Sequence, residues 1–582
     1  MPCPARQIFR CLTALLALFA LALGAQPLQA GPLQQDLGGL LGELGGAGLV
    51  VATIDAEQAG LMALGLAHAP SRRAMREDSL VQVGSITKPV IALALLRLAS
   101  QGRVALDAPL QQLLPGLPVV NPWAAEAPLR LRHLLDMSAG LEDARLWQMF
   151  SRQLDADQPL AQVWQRQPEV LRLRTPPGAQ ASYSNLGYTL AAQVIEAVVG
   201  ERYETWVERE LLRPLGMHDS TLRLLRQADE PRLAWGHLDG GGAVANLPTA
   251  LRPAGQFSTT AADMARLARF LMSDGRLHGE PFVDAALLRA MGEPQGTWAA
   301  RAGLRSGYAL GLVRQDRHGA VLRCHGGSAA GHRAMLCLDA GRQKAFFWSM
   351  NSDLEGAAYG RIDARLLAEL GLVQPLPAPS GAALAPARYE PAPGRFEAFA
   401  LLGRLQAGPA PLDRLLAVPG GAGLWRLPDR SEASHVQLAG TGLVSDGNRS
   451  WRVVTPGQVW LPRLSLGLMA LALLGGLVWA PVQALRRRRW APLIQPAWLV
   501  TAALPLAGGL MALHGWQALG DLTPGSALLA VATALLPLAW GWMALRALSR
   551  RRWAAALTAL LVVQGSVLLA AWGLLPLLMW RL

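Results

Sequence analysis

The chain has 582 residues, more than one domain of ordinary size, and 52% of them are hydrophobic. Its formal net charge of +13 comes almost entirely from arginine. Those arginines are scattered, and the densest clusters, RRRR at 486–489 and RRR at 550–552, flank apolar runs. That placement suits membrane topology and argues against a nucleic-acid partner.

The chain opens like an exported protein. Arg6 and Arg10 precede an apolar run over 12–23, and the small residues Ala25 and Ala30 are candidate cleavage points. Residues 1–30 therefore read as a secretory signal peptide, with an uncleaved anchor as the alternative. The stretch 46–54, GAGLVVATI, predicts a buried strand, and a second strand follows near 61–67. Helical patterns cover 90–100, 190–199 and 261–272, and strands return at 320–324, 333–339 and 345–349. Strands at both ends of a long helical middle predict an α/β fold with a mixed sheet and an inserted helical region. Cys3 and Cys11 fall in the signal, which leaves Cys324 and Cys337 with three glycines between them. These two either form a disulfide across a hairpin in an oxidising compartment or remain buried free thiols. No CxxC or paired His/Cys spacing marks a metal site.

The Pro/Ala-rich passage 375–394 reads as a linker, and short alternating patches over 395–460 predict a small β-rich module. The region 461–582 reads as membrane-spanning, with apolar runs at about 464–485, 496–513, 525–545 and 554–578. Arginines crowd the connections after the first and third runs, whereas 514–524 holds no Lys or Arg. The positive-inside rule puts the arginine-rich connections in the cytoplasm, so the chain enters the first span from outside. Trp479, Trp498, Trp516, Trp553, Trp572 and Trp580 lie near span ends, as interfacial belts require. None of the runs carries Asp, Glu or Lys, so the region reads as an anchor, with transport or oligomerisation as the alternative.

Three short motifs carry chemistry. Only Lys88 and Lys344 are lysines. A chain that writes nearly every cation as arginine keeps lysine in VGSITKPV, three places after Ser85. Arginine cannot lose its proton, whereas a desolvated lysine can. On a helix these two positions share a face, so Lys88 can serve as base to a Ser85 nucleophile. The plainer alternative has Ser85 capping the helix and Lys88 in solvent; Pro89 is tolerated in a first turn. The second motif, YSN at 183–185, offers Tyr183 as a proton shuttle and Asn185 as an amide ligand, or else a tyrosine packed in a loop. The third, CHGGSAAG at 324–331, sets His325 before Gly326 and Gly327. Glycines let a substrate approach a strand edge, and a glycine-rich hairpin turn is the alternative.

Ser-x-x-Lys, Tyr-x-Asn and His-x-Gly in this order resemble the serine β-lactamase and penicillin-binding protein superfamily. The likeness is to the branch with class C β-lactamases, D-alanyl-D-alanine carboxypeptidases, D-aminopeptidases and esterases. LVQVGSITKPVIALALLRLASQGRVALDAPLQQLLP, LRLRHLLDMSAGLED, YSNLGYTLAAQVIEAVVG, LLRPLGMHDST and GQFSTTAADMARLARFL each resemble a family segment, covering about 46–352. The resemblance implies an antiparallel sheet flanked by helices plus an all-helical region, with the hydrolase domain at 31–374. It implies Ser85 as acylated nucleophile, Lys88 as base and Tyr183 as general acid/base. Asn185 would contact the substrate amide and Lys88, and the backbone N–H groups of Ser85 and Ser328, beyond Gly327, would form the oxyanion hole. No metal or organic cofactor is implied.

One departure stands out. The family's third motif usually begins with lysine, and here it begins with His325, expected to be partly charged near neutral pH. Turnover of a carboxylate substrate should then fall as pH rises through its titration, with Arg333 on the next strand able to supply the missing charge. The expected function is an exported, membrane-tethered serine hydrolase of a small-molecule or peptide substrate. It would sit in a bacterial inner membrane with its catalytic domain in the periplasm. A β-lactamase or carboxypeptidase proper is one alternative, and a sensor of β-lactams or cell-wall fragments with little turnover is another.

Overall fold

The computed structural model describes residues 31–582 except 379–380, 386, 397–398, 408–410, 420 and 488–494, so the signal-peptide reading lies outside the described residues. Strands from either side of a long helical stretch build one eight-stranded sheet. They are β1 (Gly48–Ile54), β2 (Ala59–His68), β3 (Arg73–Ala74), β4 (Gly307–Ala309), β5 (Leu312–Arg317), β6 (Ala320–Ala329), β7 (His332–Asp339) and β8 (Lys344–Met350). Their order is β4-β5-β6-β7-β8-β1-β2-β3. The mixed sheet read from the residues is corrected here. Each neighbouring pair runs antiparallel, because hairpins join the strands within each group and β1 meets β8 head to tail, Leu49 opposite Met350.

Side-chain alternation along these strands gives the sheet two buried faces. Val50, Ala52 and Ile54 of β1 join the larger core, which includes α2 (Thr87–Ser100), α3 (Asn185–Val199) and α4 (Ala261–Met272). Leu49 and Val51 point the other way, to α1 (Pro32–Leu44) and α5 (Gly360–Glu369). Cys324 and Cys337 face each other on that second side in the β6–β7 register and are joined by a disulfide. α2 is buried on almost every side. A helix apolar all round belongs inside a large core, and this one takes Lys88 in with it.

A second, six-stranded sheet follows, ordered β9-β14-β13-β12-β11-β10. Its strands are β9 (Arg388–Pro391), β10 (Leu416–Ala417), β11 (Leu424–Arg426), β12 (His435–Leu438), β13 (Leu443–Ser445) and β14 (Ser450–Val454). β9 falls within the passage read as a linker, and Leu384 and Tyr389 pack in this module's core.

Four helices, α6 (Pro456–Arg487), α7 (Pro496–His514), α8 (Pro524–Ser549) and α9 (Trp553–Ala571), are long and apolar enough to cross a membrane. α9 is shorter than the apolar run suggests, and Leu577 N returns to donate to Thr533 Oγ1 at 3.0 Å. Polar groups tie the bundle together: Ser465 Oγ donates to Gln564 Oε1 at 2.6 Å, and Trp540 Nε1 to Thr501 Oγ1 at 3.1 Å.

One connection of this bundle and the stretch beyond α9 dock on the domain built around the eight-stranded sheet. Asp521 accepts from Ser151 Oγ and from Arg152 N, and Gly520 N donates to Phe150 O at 2.8 Å. Beyond α9, Arg581 pairs with Glu169 at 2.9 Å, Gln167 Nε2 donates to Arg581 O, and Leu146 N donates to Leu582 O.

Candidate active site

Ser85 lies in a 3₁₀ turn, Gly84–Ile86, that leads into α2. Gly84 has φ +52°, and a Cβ there would collide with the backbone of Ser328. A Cβ on Gly327 would collide with Val83 O. Glycine at these two positions is thus what lets β6 lie against the serine turn. The glycine-rich stretch is strand as far as Ala329 rather than the hairpin turn that composition suggested. This corrects that alternative: pairing with β7 on one edge and contact with the serine turn hold the glycines extended.

Lys88 is 0% exposed. Its Nζ lies 2.9 Å from Ser85 Oγ, 2.7 Å from Asn185 Oδ1 and 2.7 Å from the Ala254 carbonyl. Burial pulls its pKa well below the ordinary lysine value; Asp143 opposes that shift and the Arg395 charge adds to it. The Asn185 and Ala254 oxygens can only accept, so they take up two N–H bonds of the amine. Loss of a proton from Nζ would turn its lone pair to the Ser85 hydroxyl. The alternative of a solvated lysine beside a capping serine does not describe this geometry.

The YSN motif divides its labour. Ser184 caps α3, its Oγ accepting from Gly187 N at 3.1 Å and donating to Glu142 O at 2.7 Å. That cap fixes the residues on either side. Tyr183 OH donates to Ser85 Oγ at 2.8 Å, and the Asn185 side chain reaches Lys88. Burial raises the Tyr183 pKa, outweighing the Ser85 hydrogen bond, so the tyrosine stays a phenol at neutral pH. Of the two bases that could flank Ser85, the amine is the one poised to accept.

His325 is buried and its pKa is pulled down to about 3, chiefly by burial and then by Lys88. Nδ1 is 2.7 Å from Gly326 O, which can only accept, so Nδ1 carries the proton and Nε2 accepts from Tyr308 OH. The expectation of a partly charged His325 is therefore corrected: enclosure makes it a neutral strut. Arg333 does not stand in as a free cation, since its Nε pairs with Asp353 at 2.7 Å.

The cleft over Ser85 has a volume of about 1180 Å³, and Tyr183, Asn185, His325, Gly327 and Ser328 all line it. Two residues that the motif reading missed complete the surroundings. Asp143, 0% exposed at its side chain, accepts from Asn185 N at 2.7 Å and pairs with Arg395. The Arg395 guanidinium lies over the Tyr183 ring, 4.6 Å from its centroid, with half its side chain exposed. Asp143 ends the quoted segment LRLRHLLDMSAGLED and was within reach of the sequence, whereas nothing local marks Arg395. Trp516, from the α7–α8 connection, also lines the cleft and meets Phe150 edge-on at 5.9 Å. Among the described residues no cluster of His, Cys, Asp and Glu could hold a metal ion.

Fold and constellation define a serine hydrolase with lysine beside its serine, and comparison with known proteins makes the class particular. A family model described as Beta-lactamase matches residues 33–370, more than half of the sequence, and the chain belongs to that family. Penicillin-binding protein 4 of Amycolatopsis lactamdurans is 27% identical over 293 residues, 47% of this chain and 73% of the relative. Esterase EstB of Burkholderia gladioli is 34% identical over 164 residues, 27% of this chain and 42% of the esterase. The D-alanyl-D-alanine-carboxypeptidase/endopeptidase AmpH of Escherichia coli (strain K12) is 27% identical over 233 residues, 40% of this chain and 59% of AmpH. The chain thus spans between 42% and 73% of these relatives' lengths. Arg395 and Trp516 lie beyond the family match.

Proposed function

We propose that the chain is a membrane-tethered hydrolase that cleaves an ester or amide through an acyl-enzyme on Ser85. The observation that carries this reading is the buried Lys88 amine, 2.9 Å from Ser85 Oγ with its other two contacts both acceptors. Lys88 takes the Ser85 proton as Oγ attacks the carbonyl carbon. The carbonyl oxygen, gaining charge, is received by the Ser85 and Ser328 N–H groups. Tyr183, a phenol within 2.8 Å of Oγ, gives its proton to the departing oxygen or nitrogen and recovers one by way of Lys88. Water then enters by the reverse path and releases the acid. A neutral His325 and an Arg333 already paired with Asp353 leave no fixed cation at the third motif. That favours esters and simple amides over β-lactams.

Orientation follows from two lines of support. The arginine-rich connections belong in the cytoplasm by charge. The connections bearing Trp516, Asp521 and Arg581, which then face the exterior, are those that dock on the hydrolase domain. The catalytic domain accordingly sits on the extracytoplasmic side, in a bacterial inner membrane.

The test is a screen of full-length protein and its Ser85→Ala variant in detergent against p-nitrophenyl esters, D-aminoacyl amides and β-lactams. Ser85-dependent ester or amide turnover is expected. Equal rates in the two proteins would overturn the assignment, and stoichiometric labelling of Ser85 without release would make the protein an acylated sensor.

A further inference from the structure

A smaller cavity, about 290 Å³, adjoins the cleft: Met149 and Phe150 line both. Its remaining apolar walls come from three parts of the chain. Ala144 and Leu146 belong to the hydrolase domain, Phe396 and Phe399 to the second module, and Leu582 to the stretch beyond α9. The Glu142–Arg145 ion pair, 2.7 Å apart, supplies its charged border.

The cavity's position bears on what it holds. Leu146 N bonds Leu582, and Phe150 packs on Trp516 and accepts from Gly520 N. The cavity therefore lies where the hydrolase domain rests on the ends of the four apolar helices. An apolar chamber there opens at the level where lipid headgroups meet water, given the orientation proposed above. A methylene is about the size of a water molecule, roughly 30 Å³, so the space accepts a chain of about eight to ten carbons.

We infer that this cavity receives the acyl chain of the substrate, and that the enzyme acts on single-chain amphiphiles drawn from the membrane surface. The inference rests on the acyl-enzyme reading of Ser85 and names its substrate class. Ser85 Oγ bonds to the carbonyl carbon at the head of the chain while the bond to the alcohol or amine breaks. The Ser85 proton leaves with that alcohol or amine, and water later releases the fatty acid.

The experiment compares kcat/KM of full-length protein for p-nitrophenyl esters of two to twelve carbons, in nanodiscs. Each buried methylene is worth about fourfold in affinity, so burial of even two of the six extra methylenes makes the eight-carbon to two-carbon ratio at least about tenfold. Filling the cavity with Ala144→Phe should lower that ratio about tenfold. Enlarging it with Phe399→Ala should move the optimum to longer chains, which guards against a misfolded first variant. A flat chain-length series, or a series unmoved by both variants, overturns the inference while leaving Ser85-dependent acetyl-ester turnover intact.

If acetyl-ester turnover proves independent of Ser85, the acyl-enzyme reading fails and a binding measurement decides the cavity separately. Full-length Ser85→Ala protein is photolysed with an eight-carbon fatty amide bearing a terminal diazirine, and adducts are mapped by mass spectrometry. Adducts in peptides 144–150 or 396–399 uphold the cavity, and adducts confined to 456–571 refute it.

Discussion

Residues within the family match supply Ser85, Tyr183, Asn185 and Ser328 to the cleft, with Lys88 buried behind Ser85, while Arg395 and Trp516 come from beyond it. The two groups differ in how they treat charge. Inside the match burial pulls the Lys88 pKa down and keeps His325 neutral, while Arg333 is ion-paired with Asp353. Beyond it Arg395, itself ion-paired with Asp143, keeps half its side chain in solvent, over the Tyr183 ring. A lysine becomes a base by losing water, so the reactive group belongs in the core. Most of the cleft wall, Leu238, Pro248, Thr249 and Arg333 among it, also lies within the match, and the later segments add Arg395 and Trp516. The division is thus between a buried lysine inside the match and a half-exposed arginine beyond it.

The sharpest way to break this division is at Lys88. Lys88→Arg keeps a long basic side chain but fixes its charge and so removes the base, and kcat/KM on an activated ester should fall by about 10⁴-fold, as for Ser85→Ala. Activity above a tenth of wild type, with circular dichroism unchanged, would mean that the amine is not the base. Tyr183→Phe should cost about 10²- to 10³-fold, most for amides, whose leaving groups need a proton; equal losses on amides and p-nitrophenyl esters would argue against Tyr183 as that donor.

Arg395→Ala tests the outer group, with a smaller loss of about tenfold and a displaced pH profile. The base must be neutral, so activity disappears as pH falls through the Lys88 pKa. Arg395 depresses that pKa and Asp143 raises it, so removing the arginine moves the acid limb to higher pH. An unmoved limb in a kcat/KM profile would reduce Arg395 to a structural role. The least effect is expected at His325. With its pKa near 3 it takes no proton between pH 5 and 8, so His325→Gln should leave the profile's shape unaltered there. A limb in that window that vanishes in the variant would restore the charged histidine.

Much of the inner group could be read in the sequence, because its signals are local. The scarcity of lysine singled out Lys88, though only the structure, by burying it in α2, removed the solvated alternative. Ser184 as a helix cap beside Tyr183 and Asn185 is likewise a short-range pattern. What composition misread was β6: glycines look like a turn unless the contact of Gly327 with Val83 is known. The mixed sheet failed for a related reason, since strand direction depends on which distant edges meet. Arg395 reaches Asp143 across 252 residues, and Asp521 reaches Ser151 across 370. No periodicity encodes such pairings.

The seam between β1 and β8 has a consequence in time. A nascent chain emerges N-terminus first, so Ser85 and Lys88 leave the ribosome long before Met350, the partner of Leu49. Until the segments bearing Asn185, Ala254 and β6 arrive, Lys88 lacks the groups that enclose it, and on the acyl-enzyme reading the serine has no buried base. Pairing across so long a loop is also slow. On the acyl-enzyme reading, Ser85 is therefore expected to react only once the domain is complete.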